Sequence, residues 1–190
     1  MKYIFTLLLL SISSLSISQS VELGQKYLDK GRELVGHNNI DSATHYLQLA
    51  VQNRNVEAIN LLRKELKIDI EYHDIMPLSV VDEEPKFLYN EKEYPINNKD
   101  YTINSKFLTQ IRKSLNSSEE IKKAKFTGRI FLELVVDKEG NFAGKLAKGT
   151  GNVSLDEIII AQLHTNLKFK PATYKGRNTG AWAYMILLIF

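Results

Sequence analysis

The stretch Gly128-Arg129-Ile130-Phe131-Leu132-Glu133-Leu134-Val135-Val136-Asp137 decides the fold, because its alternation is that of a half-buried strand. Ile130, Leu132, Leu134 and Val136 share one face, and Phe131, Glu133, Val135 and Asp137 share the other. Lys138-Glu139-Gly140-Asn141 follows as a tight connection, so a hairpin to residues 142–146 is expected. Gly149-Thr150-Gly151-Asn152 then reads as a loop, with Ser154 as the expected N-cap of a helix. Asp156 and Glu157 sit in its first turn, where the helix dipole favours carboxylates, and Leu155, Ile159 and Leu163 form its apolar stripe. Pro171 ends that helix near Lys168. Lys175-Gly176-Arg177-Asn178 is a turn, and residues 181–190 form a last strand without a charged side chain.

Upstream, Ile103 to Leu115 carries Phe107, Leu108, Ile111 and Leu115 at helical spacing. Residues 69–100 hold three of the four prolines, Pro77, Pro85 and Pro95, and read as an acidic connector with short extended pieces. From residue 19 to 68 the text is helical. Leu23, Tyr27, Leu28, Gly31, Leu34 and Val35 make one stripe, and Ile40, Ala43, Tyr46, Leu47, Ala50 and Val51 the next. Gly36-His37-Asn38-Asn39 breaks these two stripes, with Asp41 as the expected N-cap of the second, and a third segment runs from Val56 to Leu66. The small residues Gly31, Ala43 and Ala50 let antiparallel helices approach closely, a spacing that resembles one tetratricopeptide-like repeat and a further half. One and a half repeats cannot build a solenoid, so a short helical hairpin module is expected.

The amino terminus reads as an export signal: Lys2, an apolar run from Ile4 to Leu10, and the small residues Ser16-Ile17-Ser18. Cleavage is expected after Ser18, leaving no membrane span, which places the chain in a bacterial periplasm. The chain has no cysteine, so disulfides and thiolate metal sites are excluded.

Charge is unevenly spread. Residues 19–70 hold 7 basic and 7 acidic side chains, residues 71–100 hold 3 and 8, and residues 101–190 hold 14 and 7. The acidic stretch is expected to fold back on the basic one; the alternative is a basic face aimed at an anionic partner.

Catalytic patterns are missing. His37, His45, His73 and His164 show no i, i+4 ligand pair. Gly144 to Thr150 has Thr150 where a phosphate loop needs lysine. No Gly-x-Ser-x-Gly turn occurs, and the adjacent acids Glu119-Glu120 and Asp156-Glu157 point apart. No enzyme, cofactor, metal or nucleic-acid role is expected. A cell-wall hydrolase is the reading from another class, with no residue set behind it.

The last strand, Ala181-Trp182-Ala183-Tyr184-Met185-Ile186-Leu187-Leu188-Ile189-Phe190, is apolar on both faces. Both faces are therefore expected to be covered, the second by the helical module or by another molecule, a homodimer being compatible with this.

The order Gly128…Val135-Val136-Asp137-Lys138-x-Gly140, Gly151, Leu155-Asp156-Glu157, Leu167-Lys168-Phe169-Lys170-Pro171-Ala172, Lys175-Gly176-Arg177 and a final Ile189-Phe190 resembles the TonB C-terminal domain. Residues 81–87 resemble the lead-in that many such domains carry. With the N-terminal antiparallel helical hairpin module the chain is expected to be α+β, and the resemblance implies over residues 101–190 an α-β-β-α-β domain with a three-stranded antiparallel sheet. It also implies a periplasmic adaptor or transport accessory that accepts a partner's extended peptide on a free sheet edge, the partner being an outer-membrane receptor or an inner-membrane transport complex. Trp182, Tyr184, Ile186 and Leu188 would then receive the peptide, with Lys168, Lys170 and Arg177 nearby. An envelope scaffold binding a protein through its N-terminal helices is the alternative.

Overall fold

The computed structural model describes residues 21–190, so the expected export signal and its cleavage point lie outside the described residues. The chain is mixed α+β and divides into two compact units between Glu71 and Tyr72.

The first unit is helical. Helix α1 covers residues 21–36, α2 covers Ile40–Gln52, and α3 (Val56–Asn60) runs on into a π-helical segment, Leu61–Leu66. Asn39 caps α2, its side chain accepting from the Ser42 amide, and so takes the place expected of Asp41. Asn55 caps α3 in the same way. Leu28, Ala43, Leu47, Ala50, Ala58 and Leu62 are fully buried. A β-carbon at Gly31 would lie 2.6 Å from Leu47 Cδ2, which is the close helix approach that the small residues allow.

The second unit holds two sheets. Its elements are β1 (Ile75–Pro77), a 3-10 turn (Leu78–Val80), β2 (Lys86–Tyr89), β3 (Lys92–Pro95), α4 (Ser105–Leu115) and α5 (Glu119–Ala124). There follow β4 (Arg129–Val136), β5 (Lys145–Lys148), α6 (Val153–Asn166), β6 (Phe169–Lys170), β7 (Ala172–Tyr174) and β8 (Arg177–Ile189). One sheet has the order β1-β8-β4-β5, with β7 also paired to β8; the other is β3-β2-β6, three antiparallel strands.

The 69–100 stretch is thus not a loose connector. It supplies three strands, because its single apolar residues Met76, Phe87 and Ile96 are buried in the second unit. Its acids meet the basic part of the same unit: Asp74 pairs with Lys138 at 2.7 Å and Glu93 with Lys170 at 3.4 Å, while Glu93 also pairs within the stretch with Lys86 at 3.5 Å. Asp82 accepts the Lys175 amide at 2.6 Å.

The core lies on one face of the larger sheet. Ile130, Leu132, Leu134 and Val136 of β4 are fully buried there, against Phe107, Ile111 and Leu115 of α4 and Leu155, Ile159 and Leu163 of α6. Phe87, Phe107 and Phe169 carry that core to the second sheet, with ring centroids 5.0 and 5.8 Å apart. Asn152, not Ser154, caps α6. Gly140 turns the β4–β5 connection at φ +82°, and a methyl group there would collide with the Phe169 carbonyl oxygen.

Candidate functional site

Strand β8 is the longest strand, with 13 residues, and its two flanks are treated differently. On one flank it pairs antiparallel with β4 from Arg129↔Ile189 to Leu134↔Tyr184. The register then slips, and Val136 faces Ala181, so β8 carries one extra residue between Ala181 and Tyr184. On the other flank it pairs in parallel with β1 only over Gly180, Ala181 and Trp182. Among the described residues no strand pairs with that flank beyond Trp182.

Which backbone groups this leaves open follows from the ladder. Phe190 and Gly128 exchange both amide–carbonyl bonds, at 3.0 and 3.3 Å. In an antiparallel ladder such bonded pairs recur every second residue, so Leu188, Ile186 and Tyr184 turn their amides and carbonyls toward β4. Met185, Leu187 and Ile189 turn theirs away, toward the open flank. The result is a row of three donors and three acceptors spanning about 13 Å at 3.3 Å per residue.

Side chains alternate as well. Tyr184, Ile186 and Leu188 are buried in the core, whereas Met185, Leu187 and Ile189 are 53%, 43% and 60% exposed. Residues 179–182 are all buried, but from Tyr184 to Ile189 the expectation that both faces of this strand are covered is corrected: one face is packed, and the other stands open. Cross-strand neighbours carry the same parity onto β4 and β5. Arg129 stands opposite Ile189, Phe131 lies between Leu187 and Lys148, and Glu133 lies between Met185 and Lys145. Lys145 Nζ is 3.5 Å from Glu133 Oε2.

The seven residues expected to receive a peptide fall into two groups. Trp182, Tyr184, Ile186 and Leu188 are all buried, so their side chains are not a receiving surface. Tyr184 donates a hydrogen bond from its hydroxyl to Glu84 Oε2 at 3.1 Å, and burial, with the Glu84 charge second, pushes its phenol far above the ordinary range. Lys168, Lys170 and Arg177 are not gathered at the open row. Lys168 donates to Asn141 Oδ1 at 2.9 Å, Lys170 pairs with Glu93, and the Arg177 guanidinium lies 5.4 Å from the Tyr72 ring centre. Arg177 also opens β8, roughly 26 Å of strand before Met185.

Met185, Leu187 and Ile189 are the residues that sequence reasoning missed. A signal was present: Arg129 and Glu133 mark the outward face of β4, and an antiparallel partner copies that parity. The register that transfers it, and the extra residue in β8, are not written in an all-apolar strand.

Edge strands are usually blunted by lysine, proline or a bulge along the exposed row. From Met185 to Ile189 this edge carries none of these; its bulge lies upstream, where β1 already covers the flank.

In the first unit, an open groove of about 780 Å³ is lined by Val21, Glu22, Gln25, Asn53, Asn55 and Glu57. It gathers no set of catalytic groups. Among the described residues no three His, Asp or Glu side chains form a metal cluster, and no helix is long and apolar enough to cross a membrane.

No family model, curated protein or solved structure matches this chain.

Proposed function

We propose that this chain is a non-catalytic adaptor of the bacterial periplasm, a transport accessory that captures an extended segment of a protein partner by strand addition along β8. The observation that carries this reading is the open row of Met185, Leu187 and Ile189 backbone groups, with no blunting residue along it. Backbone hydrogen bonds give such an interface its affinity, and the side chains beside the row give it choice. Here those side chains are the exposed Met185, Leu187 and Ile189.

The resemblance to the TonB C-terminal domain supports the same reading. Residues 101–190 run α4–α5–β4–β5–α6–β6–β7–β8, with β4 between β5 and β8, so a second helix and two short strands are added to the α-β-β-α-β order that the resemblance implies. The proposed partner is an outer-membrane receptor or an inner-membrane transport complex. The receiving groups are the odd-numbered backbone positions, rather than the buried side chains of Trp182, Tyr184, Ile186 and Leu188.

Capture from envelope extract by the full chain, compared with its Leu187→Pro variant, tests the proposal. Proline at 187 deletes a donor of the open row and leaves the β4 ladder intact. The reading requires that the variant fold and lose the captured partner. Equal capture by a folded Leu187→Pro chain would overturn it.

A further inference from the structure

The outward face of the larger sheet offers a second surface, built from the side chains that stand beside the backbone row. Its apolar part is Met185, Leu187 and Ile189 with the half-buried Phe131. Cations border this part: Arg129 beside Ile189, Lys148 beside Phe131, and Lys145 beside Glu133. Glu133 is the one acid on these three strands, and Lys145 at 3.5 Å offsets it.

We propose that this face lies against an anionic lipid bilayer. The apolar side chains enter the boundary between headgroups and acyl chains, while the bordering cations meet the headgroups. Charge complementarity selects this occupant. An apolar centre bordered by Arg129, Lys145 and Lys148 matches an anionic surface with an apolar interior beneath it.

The test is sedimentation of the full chain with vesicles of phosphatidylcholine alone and of phosphatidylcholine mixed equally with phosphatidylglycerol. Binding is expected on the mixed vesicles, weaker by on the order of tenfold on phosphatidylcholine alone, and suppressed by high salt. The double variant Arg129→Glu/Lys148→Glu, and separately Leu187→Asp, should each reduce partition to the mixed vesicles on the order of tenfold. Far-ultraviolet circular dichroism verifies the fold of each variant, and the salt series on the unaltered chain reads the charge requirement without any substitution. Equal binding to both vesicle types would overturn the proposal, as would variants that bind like the parent. So would absence of vesicle binding together with saturable binding of an acidic amphipathic peptide.

Discussion

The Tyr184 hydroxyl donates to the Glu84 carboxylate at 3.1 Å, joining the acidic stretch to the strand that carries the open row. Tyr184 is 4% exposed and Glu84 is exposed, so a phenylalanine would lose the bond while water re-solvates the carboxylate. Tyr184→Phe should cost about 1 kcal/mol by urea unfolding at neutral pH.

The same residue predicts an alkaline limit. Its folded phenol titrates well above the ordinary 10.0, because burial and then the Glu84 charge disfavour the ionised form. Below pH 10 both folded and unfolded chains hold the proton, and the contribution is complete. Above it the unfolded chain ionises first, so stability falls with pH by about 1.4 kcal/mol per unit. Unfolding of Tyr184→Phe should show a shallower decline over that window. Parallel curves would contradict the assignment.

In the first unit, Gln48 is 3% exposed and serves two backbone groups: its Nε2 donates to the Asp69 carbonyl at 2.8 Å, and its Oε1 accepts from the Glu71 amide at 3.1 Å. Gln48→Ala leaves both to find other partners and should cost about 2–3 kcal/mol, read as a lower denaturant midpoint.

Ladder parity separates two neighbouring proline substitutions. Ile186 bonds to β4 and is 1% exposed, whereas Leu187 points its amide to the open flank and is 43% exposed. Ile186→Pro should cost about 3 kcal/mol or more, through a lost ladder bond and a lost core side chain. Leu187→Pro should cost about 1 kcal/mol or less. Similar losses in both variants, by thermal or urea unfolding, would refute the parity.

Much of this architecture was legible because burial writes a period into the chain. The alternation of Ile130, Leu132, Leu134 and Val136 and the stripe of Leu155, Ile159 and Leu163 placed β4 and α6 within a residue or two. Caps slipped, since Asn39 and Asn152 compete with nearby Asp41 and Ser154 on equal chemical terms. The short extended pieces expected in residues 69–100 could not be located, since β1 buries two residues, β2 one and β3 none, too few to show a period. The open row was beyond reach for another reason. A uniformly apolar strand carries no mark of which residues face outward, and only its pairing with Arg129 and Glu133 supplies one.

Residue-resolved amide hydrogen exchange across β8 of the full chain addresses the vacant flank directly. The amides of Tyr184, Ile186 and Leu188 should be protected by β4, while those of Met185, Leu187 and Ile189 exchange at nearly the rate of exposed backbone, until a captured partner slows them. Uniform protection from Tyr184 to Ile189 in the isolated chain would mean that the flank is already filled, and strand addition at β8 would have to be abandoned.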